Sequence, residues 1–333
     1  MRSPLPDIFL PQNRTPQDSL AQRKACPAGL SVLENVPLAR YTRFEIGGPA
    51  RILADAADEA ALTEALRAME ESGEQYAIIG GGTNLVAGDQ GYPGVVVRYT
   101  GAELEFEGST VKVAAGAVLQ DLVDYANHLG LKGLETLAGI PGWVGAAVYG
   151  NAGAYGHSIS ERVRSVRFFD GEGVRVFDQS ECRFRYRESI FKVHKDWVIL
   201  SVELALTPDN AAALETVSAD ILKVRNEKFP PTMKCAGSIF KNFLLRDLPD
   251  TVAPLVPAAV VREGKVPAAW FLEQVGSKGA RRGDIRVADY HANLIYNDGA
   301  GTARDLSALI ADLKQRVRER FGIEVEEEVQ YVG

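Results

Sequence analysis

Apolar positions recur at helix and strand spacings from about residue 30 onward, and they predict a mixed α and β protein. Asp58 can cap a helix that ends at Gly73. The apolar stripe of this helix consists of Leu62, Ala65, Leu66 and Met69. A strand that enters a turn is predicted over 41–48, a second strand over 76–79 and, after a glycine loop, a third over 95–97. The order strand, helix, strand, glycine loop, strand predicts a small α/β unit.

Shorter strands and turns begin near Glu103 and indicate an α+β region. Helical periodicity covers Leu119 to Ala126, a hairpin is predicted over 166–177, and a strand over 197–204. A helix with apolar positions from Leu214 to Val224 must end at Pro230-Pro231, because proline donates no amide hydrogen; we place a domain boundary there.

The region after the double proline ends in a helix and a strand. Thr302 is predicted as an N-cap, with Asp305 at the position of a capping-box partner. The apolar stripe of this helix is Leu306, Leu309, Leu313 and Val317. A final strand is predicted over 325–332.

Composition and charge narrow the class of protein. A chain of 333 residues is longer than a domain with one ordinary hydrophobic core. A composition of 46% hydrophobic and 24% charged residues is typical of globular proteins. The net charge of −7 argues against a general affinity for nucleic acid or anionic membranes. The three cysteines, far apart and odd in number, predict a reducing compartment. Without a bilayer-spanning stretch or a secretory signal, a cytoplasmic location is expected.

A glycine triplet is the first candidate for binding chemistry. Gly80-Gly81-Gly82-Thr83-Asn84 follows a strand with a buried pattern, and its amides can converge on an anion. It is not a Walker A loop, because no Gly-Lys-Ser/Thr follows, and it is not the dinucleotide fingerprint, because Leu85 replaces the last glycine. An ordinary tight turn explains this motif equally well when it is taken alone.

A second glycine-rich segment, over residues 137–156, is less ordinary. Its six glycines, with interleaved alanines, lie in an apolar context, which allows another surface to lie directly on the backbone. Exposed amides can then hydrogen-bond to a flat heterocycle or a pyrophosphate. A purely structural turn is the alternative, but it would forgo side-chain packing over a long stretch without an evident gain.

Six stretches of the chain together resemble one flavoenzyme family. I-I-G-G-G-T-N-L and G-I-P-G-W-V-G-A-A-V-Y-G-N-A-G-A-Y-G look like the FAD-binding segments of UDP-N-acetylenolpyruvoylglucosamine reductases, which belong to the vanillyl-alcohol-oxidase-type flavoproteins. Residues 42–50, 186–192, 237–242 and 326–333 also resemble that family. The similarity covers roughly residues 32–333 in the family's order, and this serial agreement is stronger evidence than any single motif.

The resemblance implies an α+β fold: a two-part FAD-binding region of vanillyl-alcohol-oxidase type plus a C-terminal α+β substrate domain. The expected FAD-binding subdomains are 32–98 and 99–228, followed by a substrate-binding domain at 229–323 and a C-terminal strand, 324–333, that returns to the active site. Residues 1–31 are expected to form a poorly ordered extension.

The chain departs from the family pattern in three places. No tyrosine-bearing insertion follows the strand at 197–204, so the chain resembles the compact type. The segment 243–267 is longer than usual in compact members and is predicted to form an extra hairpin or lid. The pattern around Gly283-Asp284 differs from the family's paired glycine.

The resemblance also implies a reaction. In the family, NADPH reduces FAD, and hydride then reaches the enolpyruvyl methylene carbon of a UDP sugar, which gives UDP-N-acetylmuramic acid for peptidoglycan. Arg187 matches the arginine that stabilises the enolate-like charge, and Glu328 matches the glutamate that assists it. Ser238 matches the serine that protonates the carbanionic carbon. FAD and NADPH are therefore the implied cofactors.

Binding residues follow from the same motifs. The implied FAD-binding positions are Ile79, Gly80, Gly81, Gly82, Thr83, Asn84, Gly139, Ile140, Pro141, Gly145, Ala146, Asn151, Gly153 and Ala154. The UDP-sugar substrate is expected to contact Tyr186, Arg225, Lys228, Lys241 and Asn242. Arg225 and Lys228 lie three residues apart, so they share one face of a helix.

Each catalytic position also has a plain structural explanation. Ser238 after Gly237 can be a turn serine, Arg187 one partner of a surface ion pair, and Glu328 part of a solvated acidic run. The cations can be exposed solubilising side chains. The four histidines show no ligand spacing, so no metal is expected.

Two other functions are consistent with a flavin fold. One is an FAD-dependent oxidase of a sugar or an alcohol, which needs no proton donor of the kind implied for Ser238. The other is a non-catalytic flavin-binding module, which would not need all three matched catalytic positions. The sequence indicates no obligate protein partner, nucleic acid or membrane for any of these functions.

Overall fold

A computed structural model describes residues 28–333, which form two compact units. The first unit contains residues up to 36, 50–81 and 93–228; the second contains 37–49, 82–92 and 229–333. Residues 1–27, which make up most of the extension expected at 1–31, lie outside the described residues. Within residues 28–333, no helix has both the length and the apolar character needed to cross a membrane.

The α-helices of the described residues are α1 (Glu59–Ser72), α2 (Leu119–His128), α3 (Val144–Tyr149), α4 (Ile190–Val193), α5 (Ala211–Lys228), α6 (Ala268–Gln274) and α7 (Ala303–Phe321). Local signals set the ends of α1 and α7. The Asp58 carboxylate accepts a hydrogen bond from the Ala61 amide, and Gly73 ends α1 with φ at 67°. Thr302 and Asp305 form the predicted capping box of α7.

The strands of the described residues are β1 (Leu30–Pro37), β2 (Pro49–Ala56), β3 (Tyr76–Ile79), β4 (Leu85–Ala87), β5 (Tyr92–Tyr99), β6 (Leu104–Glu107), β7 (Thr110–Ala114), β8 (Leu131–Lys132), β9 (Gly153–Ala154), β10 (His157–Ser158), β11 (Val163–Phe169), β12 (Val174–Asp178), β13 (Val198–Ala205), β14 (Thr207–Pro208), β15 (Cys235–Ser238), β16 (Phe243–Leu244), β17 (Lys265–Val266), β18 (Arg281–Arg282), β19 (Ile285–Ala288), β20 (His291–Asn297) and β21 (Gln330–Val332). The predicted hairpin is β11 with β12, which pair antiparallel.

One predicted strand is wrong. Residues 41–48 lie at the end of a 3-10 turn, Leu38–Tyr41, and in the loop that follows it. The Thr42 hydroxyl donates to the Ile46 carbonyl and accepts from the Ile46 amide, so it satisfies groups that a strand would pair with a neighbour. The final strand is also shorter than predicted, because only residues 330–332 form β21.

The first unit packs helices on two sheets. One sheet has the order β1-β2-β5-β3, with β3 and β5 parallel; the other is antiparallel with the order β12-β11-β13-β7-β6. The apolar stripe predicted for α1 is buried in the core of this unit, together with the inward faces of α2 and α3. This packing places the glycine loop at the end of β3 and the second glycine-rich segment around α3.

The second unit is a four-stranded sheet with helices. Its sheet has the order β15-β20-β19-β18, and the stripe of α7 predicted from the sequence is buried in its core with α6. The short strand β21 pairs in parallel with β4, which holds the end of the chain within this unit. The segment 243–267 forms a hairpin, because β16 at its start pairs antiparallel with β17 at its end.

Burial makes two cysteines poor nucleophiles. Cys182 and Cys235 are both buried; desolvation raises the pKa of the Cys182 thiol to about 12 and also raises the pKa of Cys235. A higher pKa means less thiolate at pH 8, and the thiolate is the reactive form. Cys26 lies outside the described residues, so its replacement by serine isolates these two thiols.

We expect the folded Cys26→Ser protein to react with a disulfide reagent at pH 8 at least about tenfold more slowly than the same protein in urea. The measurement is stopped-flow absorbance of the released thiolate, with glutathione in both buffers as the control for the reagent. A fast phase of one thiol per folded chain would show that one of these cysteines is accessible.

Candidate active site

The two glycine-rich segments meet in the first unit. A methyl group on Gly80 would lie 3.4 Å from Cβ of Ala146, and one on Gly81 would lie 3.2 Å from Nε1 of Trp143. The loop after β3 therefore packs closely on the start of α3. The motifs that the sequence separates by about sixty positions form one backbone surface.

Two further glycines allow close packing between this backbone surface and the neighbouring residues Ala115 and Gln120. A methyl group on Gly145 would lie 2.7 Å from Cβ of Ala115. Gly139 has φ at 73°, and its amide donates to Oε1 of Gln120 at 2.6 Å. Such a cradle of backbone without side chains fits a flat, polar cofactor that hydrogen-bonds to peptide groups. The residues present are therefore compatible with FAD.

Sequence reasoning missed one cation beside this surface. The guanidinium of Arg98, on β5, lies 5.6 Å from the ring centroid of Trp143. It also donates two hydrogen bonds to the Asp55 carboxylate, at 2.7 and 2.6 Å. Strands β5 and β2 thus hold the tryptophan that covers Gly81. A contact of this kind leaves no signal in the sequence, because the residues belong to different elements.

Arg187 contacts the second glycine-rich segment. Its Nη2 donates to the carbonyl of Gly153 at 2.8 Å, and its Nη1 donates to the carbonyl of Asn151 at 3.3 Å. The arginine also lies over the neighbouring ring of Tyr186, at 5.4 Å from the centroid. The structure therefore brings the predicted catalytic arginine to residues predicted to bind FAD.

The two cationic residues predicted on α5, Arg225 and Lys228, differ in burial. Arg225 is half-buried against Gly139, because a methyl group there would lie 3.0 Å from Cδ of the arginine. Lys228 is exposed at the last residue of α5. Arg225 is thus beside a predicted FAD-binding glycine, whereas Lys228 lies on the surface of the unit.

Ser238 lies in the second unit, at the end of β15. It pairs with Leu294 of β20, and a register irregularity separates it from Cys235. Gly237 within this irregularity has φ at 78°, a conformation that favours glycine. The bulge changes the direction in which the following residue is presented. The Gly-Ser pair of the motif therefore forms an irregular end of strand β15 rather than a simple turn.

The C-terminal segment brings Glu328 to the serine. The amide of Glu328 donates to the carbonyl of Ile239 at 2.7 Å, and the amide of Lys241 donates to the carbonyl of Glu326 at 2.8 Å. Between them, Phe240 and Glu327 form an antiparallel bridge. Glu328, 90 positions after Ser238 in the sequence, is thus bonded to Ile239, the residue that follows the serine.

The acidic run at 326–328 is not a uniform solvated face. Glu326 pairs with the Lys241 ammonium, and Glu327 pairs with Lys314 at 2.7 Å and with the Tyr331 hydroxyl. Burial and the hydrogen bond to Glu327 raise the pKa of Tyr331, so the phenol keeps its proton. Each acid therefore has its own surroundings, and Glu328 is the one whose amide bonds to Ile239, the residue after Ser238.

Asn84 has a role that the motif did not predict. Its Nδ2 donates to the carbonyl of Glu328 at 2.8 Å, and its own carbonyl accepts from the amide of Gln330 at 2.9 Å. The last residue of the glycine motif is therefore tied on both sides to the segment that carries Glu328. No local pattern predicts a contact between positions so far apart.

Two predicted substrate ligands are engaged within the second unit. Lys241 is only 7% exposed, and its charge is matched by Glu326. Oδ1 of Asn242 accepts a hydrogen bond from the Ala268 amide at 3.2 Å, at the start of α6.

Each unit contains some of the residues that were predicted for catalysis, FAD binding or substrate binding. The first contains Arg187, Tyr186, Arg225, Lys228, Ile79 to Gly81 and the second glycine-rich segment; the second contains Gly82 to Asn84, Ser238, Lys241, Asn242 and Glu328.

Two family models match separate parts of the chain. Residues 50–177 match a family described as an FAD binding domain, and residues 229–332 match one described as UDP-N-acetylenolpyruvoylglucosamine reductase, C-terminal domain. The fold and these matches define a flavin-dependent oxidoreductase. They confirm the predicted combination of an FAD-binding region with a C-terminal α+β domain.

Relatives over almost the full length identify the family. The UDP-N-acetylenolpyruvoylglucosamine reductase of Solibacter usitatus is 70% identical over 304 residues, which are 91% of this chain and 97% of that protein. Reductase 2 of Symbiobacterium thermophilum is 37% identical over 300 residues, 89% of this chain and 91% of that protein. The chain belongs to the UDP-N-acetylenolpyruvoylglucosamine reductase family.

A solved structure shows the same fold. The crystal structure of the reductase (MurB) from Thermus caldophilus matches with a TM-score of 0.70 at 28% identity. The match covers 91% of this chain and 99% of that one. The resemblance predicted from the motifs is confirmed.

Proposed function

We propose that this chain catalyses the NADPH-dependent reduction of UDP-N-acetylglucosamine enolpyruvate to UDP-N-acetylmuramate through FAD, in the synthesis of peptidoglycan precursors. The observation that carries the proposal is the 70% identity over 97% of the length of a relative named for this reductase. The chain contains both the flavin-binding part and the C-terminal part that the family requires.

FAD would be held by the two glycine-rich segments, at Ile79 to Asn84, Gly139 to Pro141, Gly145, Ala146, Asn151, Gly153 and Ala154. Bound FAD supplies a two-electron carrier between NADPH and the substrate. The glycine cradle supports this assignment, because it offers peptide groups to a flat ligand without intervening side chains. Trp143 and Arg98 would close one side of the cradle.

Three side chains would act on the substrate. Arg187 would stabilise the negative charge that forms next to the substrate carboxylate when the methylene carbon gains hydride. Ser238 would donate its hydroxyl proton to the adjacent carbon, which completes the addition of two hydrogens across the double bond. Glu328 would assist the arginine; its amide donates to the carbonyl of Ile239, next to the serine. The overall reaction consumes one NADPH and one proton.

The UDP part of the substrate would contact Tyr186, Arg225, Lys228, Lys241 and Asn242. Arg225 and Lys228 offer cationic side chains near the end of α5, which supports phosphate binding. The charge of Lys241 is matched by Glu326, so Lys241 would contribute to binding mainly by holding the segment that carries Ser238.

The domain division remains part of the proposal. FAD-binding subdomains would occupy 32–98 and 99–228, the substrate domain 229–323, and the returning strand 324–333. The boundary between the compact units after Lys228 supports the division there. Segments 37–49 and 82–92 belong to the second unit, so two segments of the first subdomain would pack with the substrate domain.

The UDP sugar and NADPH are the partners we propose. The negative net charge supports the absence of nucleic acid and membrane partners, and the cytoplasm, where NADPH and UDP sugars occur, is the proposed location.

The test is anaerobic reduction of the purified protein with NADPH, followed by UDP-N-acetylglucosamine enolpyruvate while absorbance near 450 nm is recorded. Rapid reoxidation with formation of UDP-N-acetylmuramate is the expected result. A yellow protein that NADPH reduces but the enolpyruvyl sugar does not reoxidise would contradict the proposal and favour an oxidase. A colourless protein that does not take up FAD would contradict both.

A further inference from the structure

The backbone of Arg187 has an unusual conformation for a residue with a side chain. Its φ is 57°, in the left-handed region that favours glycine. Residues in this region persist where surrounding contacts hold them, and such positions cluster at functional sites. The turn that carries Arg187 therefore needs contacts that hold it, and they can be identified.

Lys192 supplies one of these contacts. This residue lies in α4, and its Nζ donates to the carbonyl of Arg187 at 2.9 Å and to Oε1 of Glu188 at 3.0 Å. The lysine side chain is only 15% exposed. A partly buried ammonium bound to a peptide carbonyl restrains that peptide, because the charge would lose a hydrogen bond if the turn relaxed. Lys192 thus holds the Arg187 backbone from the C-terminal side.

Asn151 holds the same turn from the other side. Its Nδ2 donates to the carbonyl of Arg185 at 2.8 Å, and its own carbonyl accepts from Nη1 of Arg187. The guanidinium, fixed also by the Gly153 carbonyl, has few directions left once both ends of the turn are restrained. The arginine is therefore pre-oriented by contacts on its backbone as well as on its side chain.

We propose that Lys192 is a positioning residue for Arg187: it holds the left-handed turn that aims the guanidinium. This inference rests on the proposed function, because it assigns Lys192 to the reaction in which Arg187 stabilises negative charge. Lys192 acts through the Arg187 backbone. Because a misplacement of about 1 Å in a catalytic group can reduce a rate about 100-fold, loss of this contact should slow the chemical step.

The first test is Lys192→Met in the FAD-loaded enzyme. Methionine keeps the length and the apolar stem but removes the ammonium. Reoxidation of reduced enzyme at saturating enolpyruvyl substrate should be about 10- to 100-fold slower, with a half-saturating concentration within about threefold of wild type. Reduction by NADPH should be unchanged. Lys192→Arg, which restores a cationic donor, should recover part of the loss.

Two controls separate positioning from general structural damage. Lys132→Met removes another lysine, which pairs with Asp209 at 3.0 Å on the surface of the same unit, and it should leave both half-reactions unchanged. Glu188→Gln removes the charge beside Lys192 but leaves the Arg187 carbonyl as its acceptor, so its effect should be smaller than that of Lys192→Met.

A double-variant cycle tests whether Lys192 acts through Arg187. In an Arg187→Lys background the effect of Lys192→Met should shrink to less than about threefold, because the group to be positioned is gone. The Nε–H NMR signal of Arg187, assigned by its loss in Arg187→Lys, should shift or broaden in the Lys192→Met protein before substrate is added. A merely structural lysine would leave that signal unchanged.

Each outcome decides one question. A wild-type enzyme that the enolpyruvyl sugar cannot reoxidise contradicts the proposed function itself. A competent wild type with a Lys192→Met variant of equal rate overturns the positioning role, and so does a variant whose slowing is unchanged in the Arg187→Lys background. If Lys192→Met does not fold, Lys192→Gln and Lys192→Arg are compared instead, and equal rates for these two would also overturn the role.

Discussion

Ser238→Ala should slow reoxidation of the reduced enzyme by UDP-N-acetylglucosamine enolpyruvate by about 10²- to 10⁴-fold, which is the usual contribution of a positioned proton donor. Reduction by NADPH and the content of FAD should be unchanged, because the serine would act only after hydride has reached the substrate. The effect should appear in the rate at saturating substrate rather than in the half-saturating concentration.

The structure gives a physical reason for an effect of this size. A serine hydroxyl is a weak acid, so it can protonate carbon only if it is prealigned with a strongly basic acceptor. Ser238 is held by its pairing with β20, and the C-terminal segment covers the next residues through the amides of Glu328 and Lys241. Strand β20 and the C-terminal segment therefore both restrain the backbone around Ser238, and this restraint is what prealignment of the hydroxyl requires.

Stopped-flow absorbance measures the two half-reactions separately. Ser238→Cys, which keeps a transferable proton, should lose less activity than Ser238→Ala. Ser307→Ala, an exposed serine of α7 in the same unit, serves as the matched control and should behave as wild type. If Ser238→Ala reoxidises at the wild-type rate, the serine is not the proton donor, although the reductase activity itself would stand.

Gly82→Ala should destabilise the protein by about 2–5 kcal/mol, from the cost of a left-handed residue together with that of backbone overlap. Gly82 has φ at 65°, and a methyl group there would lie 1.7 Å from the carbonyl oxygen of Tyr41. Backbone must move to admit it, and the Gly82 carbonyl also accepts a hydrogen bond from the Arg43 amide of the neighbouring segment. The overlap therefore disturbs the loop that carries the glycine motif.

Urea unfolding followed by tryptophan fluorescence gives the change in stability, and absorbance at 450 nm gives the FAD retained. Gly264→Ala is the matched control in the same unit, because Gly264 has φ at 71° but a methyl group there meets no atom within 4 Å. This control should lose only about 1 kcal/mol, the cost of the left-handed conformation alone. Equal losses in the two variants would show that the Tyr41 carbonyl does not limit the size of residue 82.

Local elements of the fold could be predicted because their signals are local. The cap at Asp58, the capping box at Thr302 and the double proline after α5 each act within a few residues, and the corresponding helices begin and end where expected. The strand predicted over 41–48 is wrong for the same kind of reason. The Thr42 hydroxyl offers the backbone a local alternative that an apolar pattern does not reveal.

The serial order of motifs determined the family, the fold class and the cofactor chemistry from sequence alone. The arrangement of the candidate site was decided by tertiary structure. Asn84 binds the Glu328 carbonyl across 244 positions, and Trp143 covers Gly81 with the help of Arg98. These pairings depend on how sheets and segments pack, and that packing sums many weak contacts which no single position records. The sequence thus predicts the candidate groups of the site, and the tertiary structure decides which of them lie close together.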